Sequence, residues 1–252
     1  MVTSSIVPGT GSADWPDADL LALRDSRPPD IEGRSKKLWL LSDGNCLVEI
    51  IPSLRSFTYN RDEMVTDTGP LRLDFYERVA PRLAKGGVRT AFTRRVSATC
   101  YLAEYCPAPP FEVVVKNRAV GSTLVKYPGL FEPEQVLPAP VVKFDYRTDP
   151  EDQPISESYL RALRLPVDEF VRLALVVNDT LKSWLDPIEV WDFCLIFGSA
   201  PDGEPVLISE VSQDCMRLRH PDGSSLDKDL FRRGAGHAEI TAAWRKLLDE
   251  LD

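Results

Sequence analysis

The stretch FEVVVKNRAVGS, residues 111–122, opens as an apolar run and closes with Lys116, Asn117, Arg118, Gly121 and Ser122. That ending could hold an anion. A cation makes charge-assisted hydrogen bonds to phosphate, a serine hydroxyl adds a donor, and a glycine lets the backbone come close. The same residues also suit a strand end with solvated charges, and residue chemistry alone leaves the two readings level. In EGRSKKLW, residues 32–39, Arg34 and Lys36 are two apart and share one side of a strand, where they could steady a polyphosphate. In LISEVSQDCMRLR, residues 207–219, Glu210, Asp214 and Arg217 lie in a strand-like segment that otherwise looks buried, and buried acids need partners. A structural Asp–Arg pair and an acid–base group both fit that pattern.

Common chemical motifs are absent. The chain has no G-x-x-x-x-G-K-[ST], no G-x-G-x-x-G after a strand, no G-x-S-x-G and no H-E-x-x-H. Its two histidines, His220 and His237, come late, and its five cysteines show no C-x-x-C, which leaves little material for Cys–His catalysis or a His-rich metal site. The net charge is −9, from 30 basic and 39 acidic residues, the wrong balance for a general nucleic-acid binder. A local cationic cluster in such a chain points to a small anion. No run approaches the ~18 apolar residues of a membrane span, and the N-terminus lacks the basic start and apolar stretch of a secretory signal. Scattered thiols then imply free cysteines in the cytoplasm.

The elements that must position these residues are legible in outline. Residues 1–30, rich in Pro, Gly, Ser and Asp, are expected to form a flexible arm, with a short helix around 19–23. Two apolar runs flank Asp43–Gly44, a hairpin signal because Asp-Gly tolerates the positive φ angles of a tight turn. Residues 70–87 read as an amphipathic helix with Leu73, Tyr76, Val79 and Leu83 on one face, kinked or ended by Pro81 and stopped by Gly86–Gly87. Two more strand-like runs cover 88–106. Residues 167–185 carry Phe170, Ala174, Val177 and Leu181 at helical spacing, with Asp168 as the candidate cap. Strands over 188–198 and 205–211, joined by a Pro-Asp-Gly turn, precede a last helix through 239–251. The order predicts an α+β fold in two lobes, an antiparallel β lobe over 31–108 and an α/β lobe over 109–252, with the active site in the cleft between them.

Six segments in this order resemble the SAICAR synthetase (phosphoribosylaminoimidazole-succinocarboxamide synthase) family, over roughly residues 31–236. EGRSKKLW sits at the family's Gly-Lys-x-Lys/Arg strand. EVVVKNRAVGS is similar to its VVVRNxAAGS signature and DQPISESY to its Asp-Pro-Leu-Ile segment. VWDFCLIFG resembles DFKLEFG, ISEVSQDCMRLR resembles DEISPDSSRLW, and DKDLFRR resembles DKDxFR. The resemblance implies a site enclosing ATP and a carboxylated aminoimidazole ribotide. ATP phosphorylates the carboxylate, the amine of aspartate displaces phosphate to form an amide, and Mg²⁺ offsets the charge. It places Lys116 and Ser122 at the ribotide phosphate, with Arg217 and Arg232 as further basic groups. Arg34, Lys36 and Arg147 fall on the nucleotide side, Arg147 and Asp149 at a Lys-x-Asp position near the catalytic centre. Asp149, Glu210 and Asp214 are the candidate acid–base groups.

The sequence departs from that pattern where the family holds metal and ATP. Cys194 and Ile196 replace a lysine and a glutamate, Ser209 replaces an aspartate, and Ser53 and Thr58 replace two acids. Gln153 replaces the aspartate of Asp-Pro, and only TDTG, ending at Gly69, matches the Pro-x-Lys-Gly turn. Hard Mg²⁺ needs oxygen ligands, which Ile196 cannot give, so no metal ligand is assigned and ATP and Mg²⁺ enter only through the resemblance. The expectation drawn from these departures is an enzyme with a degraded Mg-ATP site that remodels the base of a phosphoribosyl imidazole or purine-type nucleotide. The setting would be nucleoside-antibiotic biosynthesis of the coformycin and pentostatin 1,3-diazepine kind, with Cys194 as a new polar group. The alternatives are a genuine ATP- and Mg²⁺-dependent SAICAR synthetase and a non-catalytic nucleotide-binding subunit. The expected partner is a small phosphoribosyl nucleotide, with no nucleic acid and no membrane; a homo-oligomer is compatible.

Overall fold

The computed structural model describes residues 15–56, 60–149 and 151–251. Within the stretch expected as an arm, α1 (Asp17–Ser26) is a helix whose Leu20 is fully buried. It leads into β1 (Ile31–Glu32), β2 (Lys36–Leu40) and β3 (Asn45–Ile50). Asp43 and Gly44 make the expected turn between the last two: Gly44 has φ +84°, and the Asp43 carboxylate accepts from the Asn45 backbone N–H at 3.1 Å. The short hairpin of β4 (Ser53–Ser56) and β5 (Arg61–Met64) stands apart from the main sheets, and Thr58 lies outside the described residues. Helix α2 (Thr68–Lys85) follows, then β6 (Phe92–Arg95) and β7 (Cys100–Glu104), which close an antiparallel sheet of order β1-β2-β3-β7-β6.

The rest of the chain builds a second antiparallel sheet. Its strands are interleaved with helices: β8 (Phe111–Arg118), α3 (Ser122–Lys126), β9 (Val136–Tyr146), β10 (Gln153–Ile155), α4 (Glu157–Ala162), α5 (Val167–Leu185) and β11 (Glu189–Leu195). A small pair, β12 (Phe197–Ser199) and β13 (Pro205–Leu207), precedes β14 (Met216–Arg219), α6 (Asp229–Arg232) and α7 (His237–Glu250). The order is β10-β9-β8-β11-β14. The mixed, two-sheet architecture agrees with the α+β expectation.

One apolar cluster joins the two sheets. Helix α2 contributes Leu73, Tyr76, Val79 and Leu83, the face its sequence spacing predicts. Against it pack Phe170, Ala174, Val177 and Leu181 of α5, Trp244 of α7, Val48 and Ile50 of β3, and Val113 and Val115 of β8. The opposite face of the first sheet packs Trp39, Leu47 and Leu102 on Leu20 of α1. Strand alternation makes this division possible, since neighbouring residues of β3 face opposite ways.

Three local expectations are corrected. Pro81 does not end α2, which runs on to Lys85. Asp168 does not cap α5; Pro166 holds the cap position, and the Asp168 carboxylate pairs with Arg161 at 2.8 Å from the first turn. The strand expected over 205–211 stops at Leu207, so Glu210 and Asp214 lie on an irregular loop before β14.

Gly198 sets the close approach of β12 to residues 106–107. A Cβ there would lie 2.7 Å from the Cys106 Cβ and 3.1 Å from the Pro107 carbonyl oxygen, and neither atom can swing away. Gly198→Ala is therefore expected to destabilise the protein by about 1–3 kcal/mol, the usual cost of overfilling a packed interior, read from urea or thermal melts.

Candidate active site

The second sheet has two unlike faces. Phe111, Val113 and Val115 of β8, Phe144 of β9, and Phe193 and Leu195 of β11 point into the core. The alternate residues make a charged face: Glu112, Val114 and Lys116 on β8, Lys143 and Asp145 on β9, Asp192 and Cys194 on β11, and Arg217 on β14. Cross-strand register sets these side by side, with Asp192 opposite both Lys116 and Arg217, and Glu112 opposite Asp145.

At one end of that face the basic residues singled out by sequence converge on two buried acids. The Lys116 ammonium, 4% exposed, lies 2.9 Å from Asp192 and donates to the Val120 carbonyl at 3.2 Å. Arg217 donates to Asp192 at 2.6 Å and to Asp229 at 3.1 Å, and Arg232 reaches Asp229 at 2.6 Å. Burial opposes ionisation of Asp192, but Arg217 and Lys116 overcome it and hold its carboxyl below the usual range. The Arg217 guanidinium packs against Gly121, where a Cβ would lie 2.6 Å from Nη2 and 3.1 Å from Cζ. Gly121 also has φ +60° and ψ −129°, a conformation open to little but glycine. Ser122, half-buried, follows at the start of α3.

The opening stretch thus divides its labour. Asn117 ties β8 to Asn178 of α5 at 2.8 Å and to the Val190 carbonyl at 2.9 Å, while Arg118 pairs with Glu189 and covers the Trp191 ring. Both are framework contacts. Gly121, Ser122 and Arg217 are the groups disposed around the turn, and Lys116 supports them through Asp192.

A second charged cluster joins the sheets. Arg72 of α2 is fully buried, and its guanidinium donates to Glu210 (Nε at 3.0 Å) and lies 3.7 Å from Asp214. Lys36 of β2 takes the other Glu210 oxygen, and Lys228 pairs with Asp214 at 2.7 Å. Burial by itself would raise both acids. Arg72 and Lys36 bring Glu210 below its ordinary value, and Lys228 and Arg72 bring Asp214 down to about 2. Both acids stay ionised through neutral pH, which suits electrostatic positioning more than proton transfer. Arg232 also acts on Asp214, so this cluster continues into the first.

Asp149 lies away from Glu210 and Asp214. It pairs with Arg34 at 2.7 Å on the rim of a cavity of about 510 Å³ whose lining includes Arg34, Arg55, Arg61, Asp62 and Asp149. Arg147 donates instead to the Pro109 carbonyl at 2.6 Å. Sequence reading missed Arg72, although its spacing from Tyr76, Val79 and Leu83 places a cation on the buried face of α2. It also missed Asp192, an acid inside an apolar strand, as well as Glu112, Asp229, Lys228, Arg55 and Arg61.

The SAICAR synthetase family model matches residues 30–250, nearly the whole described chain. The chain belongs to the SAICAR synthetase family. Phosphoribosylaminoimidazole-succinocarboxamide synthase of Lactococcus lactis subsp. cremoris (strain SK11) is 33% identical over 229 residues, 88% of this chain and 95% of that protein. Among solved structures, a type-2 SAICAR synthetase in complex with ADP matches with a TM-score of 0.81 and 27% identity, covering 88% of this chain and 96% of that one. The type-1 SAICAR synthetase from Pyrococcus horikoshii OT3 matches with a TM-score of 0.78 and 26% identity, over 86% and 96% of the two chains. These findings correct the expectation of a base-remodelling enzyme of nucleoside-antibiotic biosynthesis. Relatives about 30% identical over most of the chain carry the name of the amide-forming ligase, and changes at a few site positions do not outweigh that.

The family implies magnesium, and the residues present do not fit a protein-held ion. Ile196 offers no oxygen, and the Ser209 hydroxyl accepts from the Ile196 backbone N–H at 2.9 Å. Both Glu210 oxygens face cations, Asp214 faces Lys228 and the shared Arg72, and among the described residues no group of three or more His, Cys, Asp or Glu is placed to hold a metal. Also among the described residues, no helix is long and apolar enough to cross a membrane.

Two measurements check this arrangement. Glu210→Gln leaves buried Arg72 and Lys36 without their shared counter-charge and is expected to cost about 3–5 kcal/mol in a denaturant melt, as removing one partner of a buried ion pair does. Gly121→Ala is expected to displace Arg217 and to lose ~1–3 kcal/mol in stability from the strained backbone, read in the same denaturant melt.

Proposed function

We propose that the protein is an ATP-dependent ligase that joins the carboxylate of a carboxylated aminoimidazole ribotide to the amine of aspartate. The observation that carries this reading is likeness along almost the full length of relatives named for that reaction, beginning at the 33% identical Lactococcus protein. The ADP-bound relative supports a nucleotide role for the site, and the charged groups suit the three substrates.

In this reading the ribotide phosphate sits at the Gly121–Ser122 turn, held by Ser122, Arg217 and Arg232. Lys116 positions Arg217 by sharing Asp192 with it. Arg34 and Lys36, which meet Asp149 and Glu210 across the cleft, face the nucleotide phosphates, and the Arg34–Arg55–Arg61 cavity supplies cationic walls for phosphate or carboxylate groups. Preorganised charges of this kind act most strongly where water is excluded. ATP passes its terminal phosphoryl group to the ribotide carboxylate and leaves as ADP; the amine then forms the C–N bond as phosphate departs.

The test is direct turnover. With ATP, magnesium, carboxyaminoimidazole ribotide and aspartate, the purified chain is expected to release the succinocarboxamide product, ADP and phosphate in equal amounts, followed by mass spectrometry. No aspartate-dependent product, under conditions where a relative turns over, would overturn the reading.

A further inference from the structure

Glu112, like Asp145 opposite it, is a carboxylate on the charged face of the second sheet that neither cluster uses. It shares that face with Lys116, four residues along β8, so the two Cα atoms are roughly 13 Å apart at strand spacing. That span suits a ribotide whose phosphate lies beyond Lys116 and whose base reaches back along the strand. Glu112 is half-buried, and directly opposite stands Asp145, 6% exposed. Lys143 holds one Asp145 oxygen. The other, Oδ1, is buried and has no hydrogen-bond partner among the described residues. An orphaned acceptor beside a second carboxylate is arranged for a donor that carries several N–H bonds.

We propose that Glu112 takes the proton from the amine of the incoming amino acid as the amide forms, while Asp145 Oδ1 accepts a hydrogen bond from the same nitrogen. This rests on the ligase reading above. The amine lone pair attacks the acyl-phosphate carbon, the C–N bond forms, and the C–O bond to phosphate breaks with its electron pair leaving on inorganic phosphate. The surplus proton on nitrogen passes to the Glu112 carboxylate. No oxidant or further reactant is required.

The groups facing Glu112 adapt it to this task. Lys143 and Asp145 lie on β9, Arg147 and Asp152 on the loop that follows, and Cys194 on β11. Burial, then Asp152 and Asp145, push the Glu112 carboxyl up to about 7, against the opposing pull of Arg147 and Lys143. A proton acceptor works best when its pKa lies near the working pH. Glu210 and Asp214 are held too low for the role, and Asp149 is held low by Arg34.

The experiment compares aspartate with hydroxylamine as nucleophile in the wild-type chain and in Glu112→Gln. Hydroxylamine enters as the free base at neutral pH, and its weakly basic nitrogen gives up the surplus proton to water after attack, so it depends far less than aspartate on a protein acceptor. With aspartate, kcat in Glu112→Gln is expected to fall ~100-fold or more, while hydroxamate formation stays within about threefold of wild type. The wild-type kcat/KM with aspartate should decline as pH falls through about 7, because the acceptor must be ionised, and Glu112→Gln should lack that limb. Folding is checked by melting at about pH 8. There the variant should melt no lower than wild type, since it loses a carboxylate whose ionised form burial disfavours. Equal loss with both nucleophiles, or an unchanged aspartate rate in Glu112→Gln, would overturn the assignment while leaving the ligase reading intact. A wild-type chain that makes neither amide nor hydroxamate would overturn both.

Discussion

The buried guanidinium of Arg72 is the constraint around which the site is organised. It projects from the helix of the first lobe into the loop of the second, between Glu210 and Asp214. An isolated charge at that depth would cost several kcal/mol, so the acids must be there, and they in turn require Lys36 and Lys228. Each addition settles the one before it and commits another element: β2 through Lys36, the loop after β13 through Glu210, the segment before α6 through Lys228. The chain of charges continues through Arg232 and Asp229 to Arg217, Asp192 and Lys116. One electrostatic network thus spans both sheets, and shifting one lobe against the other would expose or unpair some of its members.

Period-two alternation lets this network sit directly above a core. Val113 and Val115 pack beneath the same strand whose Glu112 and Lys116 lie on the charged face, so the apolar packing that holds β8 also fixes the positions of its charges. Lys116 illustrates the consequence. Its ammonium is spent within the protein, on Asp192 and the Val120 carbonyl, and Asp192 ties it to the Arg217 guanidinium. A glycine with positive φ then lets that guanidinium lie against the backbone of the turn.

Much of the fold was legible because its signals are local. Asp43–Gly44 fixes a turn by its own conformational preference, and the 3.6-residue spacing of Leu73, Tyr76, Val79 and Leu83 identifies the inward face of α2 without reference to any other element. The ordered family segments point to the mixed two-sheet architecture. Pairing was not legible, because it is a property of distant residues. Nothing in PLRLDF shows that Arg72 meets Glu210, 138 positions later. Glu210 and Asp214 looked like strand residues because β-like neighbours surround them, yet the loop that carries them is what lets both approach one arginine. Glu112 was passed over because a single acid beside a valine run looks like a solvated edge until Asp145 is placed opposite it.

The departures from the family pattern make physical sense as a set. Cys194, in β11, and Ile196, just past its end, stand where the family has a lysine and a glutamate, two residues apart. Both positions are half-buried, where a lone charge is costly; losing both removes a cation and an anion together. Replacing both partners of a buried pair with groups of moderate size is often near neutral for stability, whereas breaking the pair is costly. The remaining carboxylates are then served by Lys36, Arg72 and Lys228, so the network closes on itself without the missing pair. The fold and the arrangement of Gly121, Ser122, Arg217 and Arg232 around the turn after β8 are left in place by these departures. Among the fixed cations, Arg34, Arg55 and Arg61 line a cavity of about 510 Å³.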